Sequence, residues 1–355
     1  MKSPLVRIAE ITLFGALPLI ALVIGLSTFA DQDRIALDFH HELYPQAELV
    51  ADGRDPYPPP DADLSDGTNA IWPIAAVLPV VPLTPLSAEA ADWVATALVL
   101  ASLVGALWLL GIRDWRIYGI TLLWPPVIDA YQTANLTLPL ALLVALMWRH
   151  RERALVAGGA LGIALAWKFF LWPVAVWLVA TGRRWAAALS FAIAAASLLL
   201  LVPFVSVVDY VRLIRNLSDT FDEFSYTPYA LLVDLGVSST AARALTLVAG
   251  TAVLALAWRR RSLGLALGAA LVLSPIVWRH FFALLLVPLA IARPRFDARW
   301  LIPLGFWFVP GTYNGATWQT ALALVIAAAS LGACELRPRR RAKSSAILGR
   351  STRHT

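Results

Sequence analysis

The chain has 355 residues, of which 59% are hydrophobic and 15% charged, and its formal net charge is +6. A mean hydropathy of +0.70 is typical of membrane proteins with several spans and excludes an ordinary soluble domain. The single cysteine excludes an internal disulfide framework and a cysteine-rich metal site. Basic residues concentrate in the tail at 336–355, which indicates an anchor beside anionic lipid rather than a nucleic-acid-binding face.

The first apolar run follows Lys2 and Arg7 and predicts a span at about 9–29. Thr28-Phe29-Ala30 loosely resembles a signal-peptide cleavage site. The run is longer than the apolar core of a signal peptide, so we interpret it as an uncleaved span.

The most polar stretch of the chain follows this span, in a predicted first outer loop at 31–90. Asp38 lies about one helical turn beyond the span, where a carboxylate can act as a general base on an attacking hydroxyl or can be an ordinary solvated acid. His40 and His41 are candidate substrate contacts, or metal ligands with Asp38, although adjacent side chains point apart. Tyr57 closes a Gly-Arg-Asp-Pro-Tyr turn and is either structural or a substrate contact.

The segment 71–86 is apolar but carries four prolines, which argue against a continuous helix. If it crossed the membrane, the later arginine clusters would fall outside, against the positive-inside rule. We therefore predict a re-entrant or interfacial segment.

With that topology the sequence predicts an all-α polytopic membrane protein of about twelve transmembrane helices. One transmembrane domain covers 1–335, with a second outer loop at 206–240, and the basic tail at 336–355 is expected to be disordered. Both termini are predicted to be cytoplasmic, because most arginines then lie inside.

Further unusual polar residues fall on the same outer side. Gln132 and Asn135 lie at a turn between two spans, and their amides suit either sugar hydroxyls or helix–helix hydrogen bonds. Lys168, one of three lysines, is embedded in Ala-Trp-Lys-Phe-Phe and either snorkels to the interface or holds a phosphate. Arg279 and His280 are further cations able to neutralise a leaving phosphate.

Taken together, these segments resemble glycosyltransferase family 87, a group of α-mannosyltransferase-like membrane enzymes of the GT-C class. The resemblance depends on the order and spacing of short motifs: Asp38-Phe39 with Tyr44, Gly53 and Pro56-Tyr57; Trp72-Pro73 to Pro85; Tyr131-Gln132-Thr-Ala-Asn135; Trp167-Lys168; and Ser274-Pro275-Ile-Val-Trp278-Arg-His280. The family's Tyr-Pro-Pro and its Gly before Gln are replaced here by Ile71-Trp72-Pro73 and Tyr131.

The resemblance implies transfer of a sugar, mannose first and arabinofuranose as the alternative, from a polyprenyl-phosphate donor. The acceptor would be a glycolipid or glycan hydroxyl at the outer face of the cell membrane. Asp38 matches the family's catalytic base, and Lys168, Arg279 and His280 are candidates for binding the donor phosphate. Neither a cofactor nor a metal is expected, and membrane lipids are the other partners.

A transporter or lipid flippase is the alternative from another class, because intramembrane polar residues also line transport paths. Transporters commonly have repeated halves and charges at the midplane. The sequence shows no repeat, and its polar residues cluster at one face, which favours an enzyme.

Overall fold

The computed structural model describes residues 3–65, 71–311 and 314–335, and the secondary structure of these residues is entirely helical. The predicted tail at 336–355 lies outside the described residues. The α-helices are α1 Pro4–Ile11, α2 Leu17–Asp31, α3 Tyr44–Ala51, α4 Ile74–Val77, α5 Ala88–Leu109, α6 Trp115–Leu122, α7 Pro125–Gln132, α8 Thr137–Arg149, α9 Ala154–Trp167, α10 Trp172–Ala180, α11 Arg184–Ser197, α12 Val207–Phe221, α13 Pro228–Asp234, α14 Ser239–Arg260, α15 Leu263–Leu273, α16 Leu286–Ala292 and α17 Thr317–Glu335.

Four continuous helical stretches among the described residues are long and apolar enough to cross a membrane: Pro4–Asp31, α5, α14 and α17. A fifth is available if α7 and α8, which meet at 111°, count as one broken span. Six shorter apolar helical segments accompany them. The all-helical, membrane-compatible class is confirmed, and the count of about twelve spans stays a prediction.

The proline-rich segment is broken into short pieces. Helix α4 has four residues, and a single 3₁₀ turn at Val81–Leu83 follows it. The indole Nε1 of Trp167 at the end of α9 donates to the carbonyl oxygen of Ala75 at 2.8 Å. This segment therefore packs on α9 and does not form one long helix.

Helix α9 packs most closely against α11, through glycines spaced by four residues. A Cβ at Gly158 would lie 2.7 Å from the carbonyl oxygen of Ala186, and one at Gly162 would lie 2.8 Å from Cβ of Ile193. Small residues at this spacing let two apolar helices approach closely, where packing replaces the hydrophobic effect within a bilayer. Lys168, at the end of α9, is thereby held on a tightly packed helix.

Two further helices follow α11 in the predicted second outer loop. Helix α12 places Tyr210 against Tyr57, with ring centroids 5.2 Å apart. Asn216 donates to the carbonyl oxygen of Ala62 at 2.8 Å. The described parts of the two predicted outer loops therefore pack on each other.

Candidate active site

Asp38 lies at the start of a π-helical turn, Phe39–Leu43, that leads into α3. Such turns are rare and are frequent at functional sites. Its neighbour Phe39 donates its backbone N–H to the carbonyl oxygen of Thr133, at 3.2 Å. This contact sets the π turn directly against the break between α7 and α8.

The backbone is strained on both sides of this contact. Ala36 and Ala134 have φ values of 55° and 47°, in the left-handed region that residues with a Cβ seldom occupy. Each costs on the order of 1 kcal/mol and persists only where the surrounding packing enforces it. The two strained residues flank the meeting point of Asp38 and the α7–α8 break, as is common at functional sites.

The carboxylate of Asp38 is half-buried, within hydrogen-bonding reach of the side chains of Thr133 and Asn135. Burial raises the pKa of Asp38 to about 6, helped by the charge of Asp129 and opposed by the charge of Lys168 and by the two hydrogen bonds. A carboxylate with this pKa is mostly ionised at neutral pH yet holds a proton well once it has taken one, as a general base requires.

Asn135 is fully buried and is the better placed of the two predicted amides. Its Nδ2 donates to the Thr133 hydroxyl at 2.6 Å, and its Oδ1 accepts from the backbone N–H of Thr137 at 2.8 Å. The Thr133 hydroxyl also lies 2.8 Å from the carbonyl oxygen of Asp129, so it serves one acceptor at a time. Gln132 is half-buried at the last residue of α7.

Glu42 lies one turn beyond Asp38 and is a second carboxylate of the same site. Its Oε2 accepts from the indole Nε1 of Trp72 at 2.6 Å. Burial, followed by the charge of Asp38, raises the pKa of Glu42 well above its usual range. Glu42 is not among the residues predicted from the sequence, although its four-residue spacing from Asp38 on a helical turn places the two side chains on one face.

Lys168 follows the last residue of α9 in an extended conformation. Its ammonium lies 4.4 Å from the ring centroid of Trp72 and 4.3 Å from that of Phe281. Among the described residues it forms no ion pair, although Asp38 and Glu42 act on it electrostatically. Burial lowers the pKa of Lys168 to about 8.

Arg279 is placed differently from Lys168. Its Nε and Nη2 donate to the two carboxylate oxygens of Asp129, each at 2.6 Å, and its Nη1 donates to the carbonyl oxygen of Val309. Both side chains of the pair are largely buried. The charge of Arg279, one of the three predicted phosphate-binding residues, is therefore already neutralised by Asp129.

His280 is buried, and its Nε2 has no hydrogen-bond partner within the described part of the chain. The ring packs against Phe281 with centroids 4.9 Å apart. Lys168 and Arg279 are both near enough to act on it electrostatically. The structure thus brings His280 together with the other two predicted phosphate-binding residues.

The remaining predicted substrate contacts, His40, His41 and Tyr57, have partners other than Asp38. His40 pairs with Asp92 at the start of α5, with Nδ1 2.7 Å from Oδ2, and His41 packs edge-on against the His40 ring. The Tyr57 hydroxyl donates to the carbonyl oxygen of Trp72 at 2.9 Å. Tyr57 therefore supports the backbone of Trp72.

No group of three or more His, Cys, Asp or Glu side chains suited to a metal ion is found in residues 3–65, 71–311 and 314–335. The interpretation of Asp38, His40 and His41 as joint metal ligands therefore has no geometric basis, because His40 is turned towards Asp92.

Comparison with known proteins gives one finding. The profile of glycosyltransferase family 87 matches residues 71–288, well over half of the chain. No curated protein and no solved structure gives a significant match. The matched range includes Trp72, Asn135, Lys168 and the segment with Arg279 and His280, and it begins after Asp38 and Glu42. The chain belongs to glycosyltransferase family 87 and is a membrane glycosyltransferase.

Proposed function

We propose that the protein transfers a sugar, mannose in the first instance, from a polyprenyl-phosphate donor to a hydroxyl of a glycolipid or glycan. The observation that carries the proposal is the placement of Asp38. This carboxylate, whose pKa is raised to about 6, lies beside the buried amide of Asn135 and near Lys168, which has no ion-pair partner in the part of the chain that the structure describes. A base and a cation at one site are what attack by a hydroxyl and departure of a phosphate require.

In this mechanism Asp38 accepts the proton of the acceptor hydroxyl as its oxygen attacks the anomeric carbon of the sugar. The new carbon–oxygen bond forms while the bond from the anomeric carbon to the phosphate oxygen breaks. The electron pair of that bond leaves with the polyprenyl phosphate, and the configuration at the anomeric carbon inverts. The ammonium of Lys168 stabilises the leaving phosphate, with His280 as a second candidate contact.

Gln132, half-buried at the break between α7 and α8, is proposed to hold a sugar hydroxyl. Asn135 is fully buried, and its amide is occupied by Thr133, Thr137 and Asp38, so it is proposed to orient Asp38 instead of making the sugar contact expected from the sequence. In the proposed topology the site lies at the outer face of the cell membrane, with both termini inside. That orientation follows from the arginine distribution in the sequence.

The test is transfer by membranes or purified protein supplied with radiolabelled polyprenyl-phosphomannose and an extracted glycolipid fraction. We expect a labelled glycolipid product, and a loss of about 10²–10⁴-fold in Asp38→Asn, because the amide accepts no proton. The matched control is Asp52→Asn, an exposed acid just beyond α3, whose rate should equal that of the wild type.

Full activity in well-folded Asp38→Asn would exclude Asp38 as the base. Transfer of arabinofuranose in place of mannose would reassign the sugar and keep the mechanism. Movement of the lipid across vesicles without any sugar transfer by the wild type would support the flippase alternative.

A further inference from the structure

The contacts of Lys168 are aromatic rather than ionic. Its ammonium lies over the ring of Trp72, from the proline-rich segment, and over the ring of Phe281, from the segment before α16. Ring faces attract a cation through the ring quadrupole and supply no negative counter-ion. The positive charge therefore remains available to an anionic ligand.

Acids are nevertheless close to this lysine. The charges of Asp38 and Glu42, both in the first loop, interact electrostatically with Lys168, and Lys168 in turn interacts electrostatically with His280. Glu42 would be the natural ion-pair partner, yet its Oε2 accepts from the indole of Trp72 instead, at 2.6 Å. The hydrogen bond to Trp72 thus holds Glu42 in place without neutralising Lys168.

Trp72 is one of the most firmly held side chains near the site. Besides the indole hydrogen bond, its backbone N–H donates to Oε1 of Gln46 at 3.2 Å, and its carbonyl oxygen accepts from Nε2 of Gln46 and from the hydroxyl of Tyr57, each at 2.9 Å. Gln46 is fully buried. Gln46 and Tyr57 therefore fix the backbone of Trp72, and Glu42 holds the indole ring that contacts Lys168.

We propose that Trp72 and Phe281 form an aromatic clamp that holds the Lys168 ammonium ready for the phosphate of the lipid donor, and that Glu42 is the positioning residue that orients Trp72. The ligand class rests on the proposed function. The clamp assigns roles to three side chains, Glu42, Trp72 and Phe281, that the sequence analysis did not place in the site.

The experiment measures binding of undecaprenyl phosphate to the purified full chain in detergent, by native mass spectrometry, across neutral and alkaline pH. Wild type should bind, and affinity should fall at high pH as Lys168 loses its proton. Lys168→Ala should weaken binding and abolish this alkaline fall. Trp72→Leu and Phe281→Leu should each weaken binding up to roughly 30-fold, the range of a desolvated cation–π contact.

These two variants should also move the alkaline fall to lower pH, because the rings favour the charged form of the lysine. A purely structural loss would not move it. Glu42→Leu should weaken binding less than Trp72→Leu and shift the fall in the same direction. Glu42→Gln keeps an acceptor for the indole and should restore affinity at neutral pH, while the alkaline fall stays at lower pH because the charge of Glu42 that favours protonated Lys168 is lost.

Trp72→Phe covers the case in which Trp72→Leu fails to fold, since it keeps a ring and loses only the indole donor. The matched control is Trp93→Leu, a partly exposed tryptophan of α5, which should bind as the wild type does. No binding by the wild type would overturn the donor class, and with it the proposed function.

If the wild type binds undecaprenyl phosphate, three outcomes would overturn the aromatic clamp and leave the proposed function standing. In the first, Trp72→Leu and Phe281→Leu bind as tightly as the wild type with an unmoved alkaline fall. In the second, Lys168→Ala binds normally. In the third, Glu42→Gln is as impaired as Glu42→Leu, which would assign the charge of Glu42, and not its hydrogen bond to Trp72, as the contribution that matters.

Discussion

Lys168 and Arg279 are two cations of the candidate site, and their contacts are of opposite kinds. Arg279 gives three donors to Asp129 and Val309 and is locked in a buried ion pair. Lys168 rests on two rings and has no ion-pair partner among the described residues. A cation already paired contributes to the fold, whereas an unpaired one can bind a phosphate, so the two residues have different uses.

The largest expected effect is on stability, at Arg279. Replacing it with leucine leaves Asp129 buried without a partner, and we expect the free energy of unfolding to fall by roughly 3–5 kcal/mol. The double variant Asp129→Leu/Arg279→Leu removes both charges and should recover much of that loss. Denaturant unfolding in detergent measures both.

Arg212→Leu is the control for that experiment, since its side chain is 69% exposed on α12. Its effect should stay within about 0.5 kcal/mol. Equal stability of Arg279→Leu and the wild type would remove the distinction between the two cations.

The second effect is on donor affinity, at Lys168. Lys168→Met keeps the length of the side chain and removes its charge, and we expect undecaprenyl phosphate to bind roughly 10–150-fold more weakly, the range of a hydrogen bond to a charged group. Unfolding should change little, because no buried carboxylate loses a partner. Lower stability with unchanged donor affinity in Lys168→Met would show that Lys168 contributes to the fold and does not bind the donor phosphate.

The third and smallest effect is on the pH dependence of transfer. The pKa of Asp38 is raised to about 6, so the base is protonated and inactive below that pH and kcat/KM should rise tenfold per pH unit up to about 6. Because Lys168 favours the ionised form of Asp38, Lys168→Met should move this acid limb to higher pH. The corresponding limb in Asp129→Leu/Arg279→Leu should move to lower pH, since the charge of Asp129 raises the pKa of Asp38.

The acid limb of each of the three proteins is measured as the pH dependence of the transfer rate at subsaturating donor. Limbs that coincide in all three proteins would show that the acid limb does not report Asp38.

The sequence predicts the candidate base and the lysine but not their partners. Lys168 stands out as a charge in an apolar neighbourhood, which is costly unless it is used, and Asp38 stands out because it belongs to the polar stretch just beyond the first span. The contact between Glu42 and Trp72 joins residues 30 positions apart, and that between Asp129 and Arg279 joins residues 150 apart. Such pairs depend on which helices pack together, and hydrophobic patterning does not specify this.

The positions of the long helices are predicted from the sequence more easily than the number of helices that cross the membrane. The span predicted at 9–29 corresponds to the long helical stretch Pro4–Asp31. The four prolines at 71–86 predict that this segment is not one continuous helix, as the short pieces around α4 confirm. The steep reversal between α7 and α8 falls at the turn predicted between two spans, although the intervening residues 133–136 contain neither glycine nor proline.

The length of α9 has a consequence for the lipid around the site. Its 14 residues extend about 21 Å, against a hydrocarbon core of about 30 Å, while the 22 residues of α5 extend about 33 Å. A helix shorter than the bilayer is matched by local thinning of the lipid or by flanking residues that reach outwards. Lys168 follows the last residue of α9, so if α9 crosses the bilayer, thinner lipid at this point would bring the ammonium to the headgroup level, and donor binding would then depend on membrane thickness.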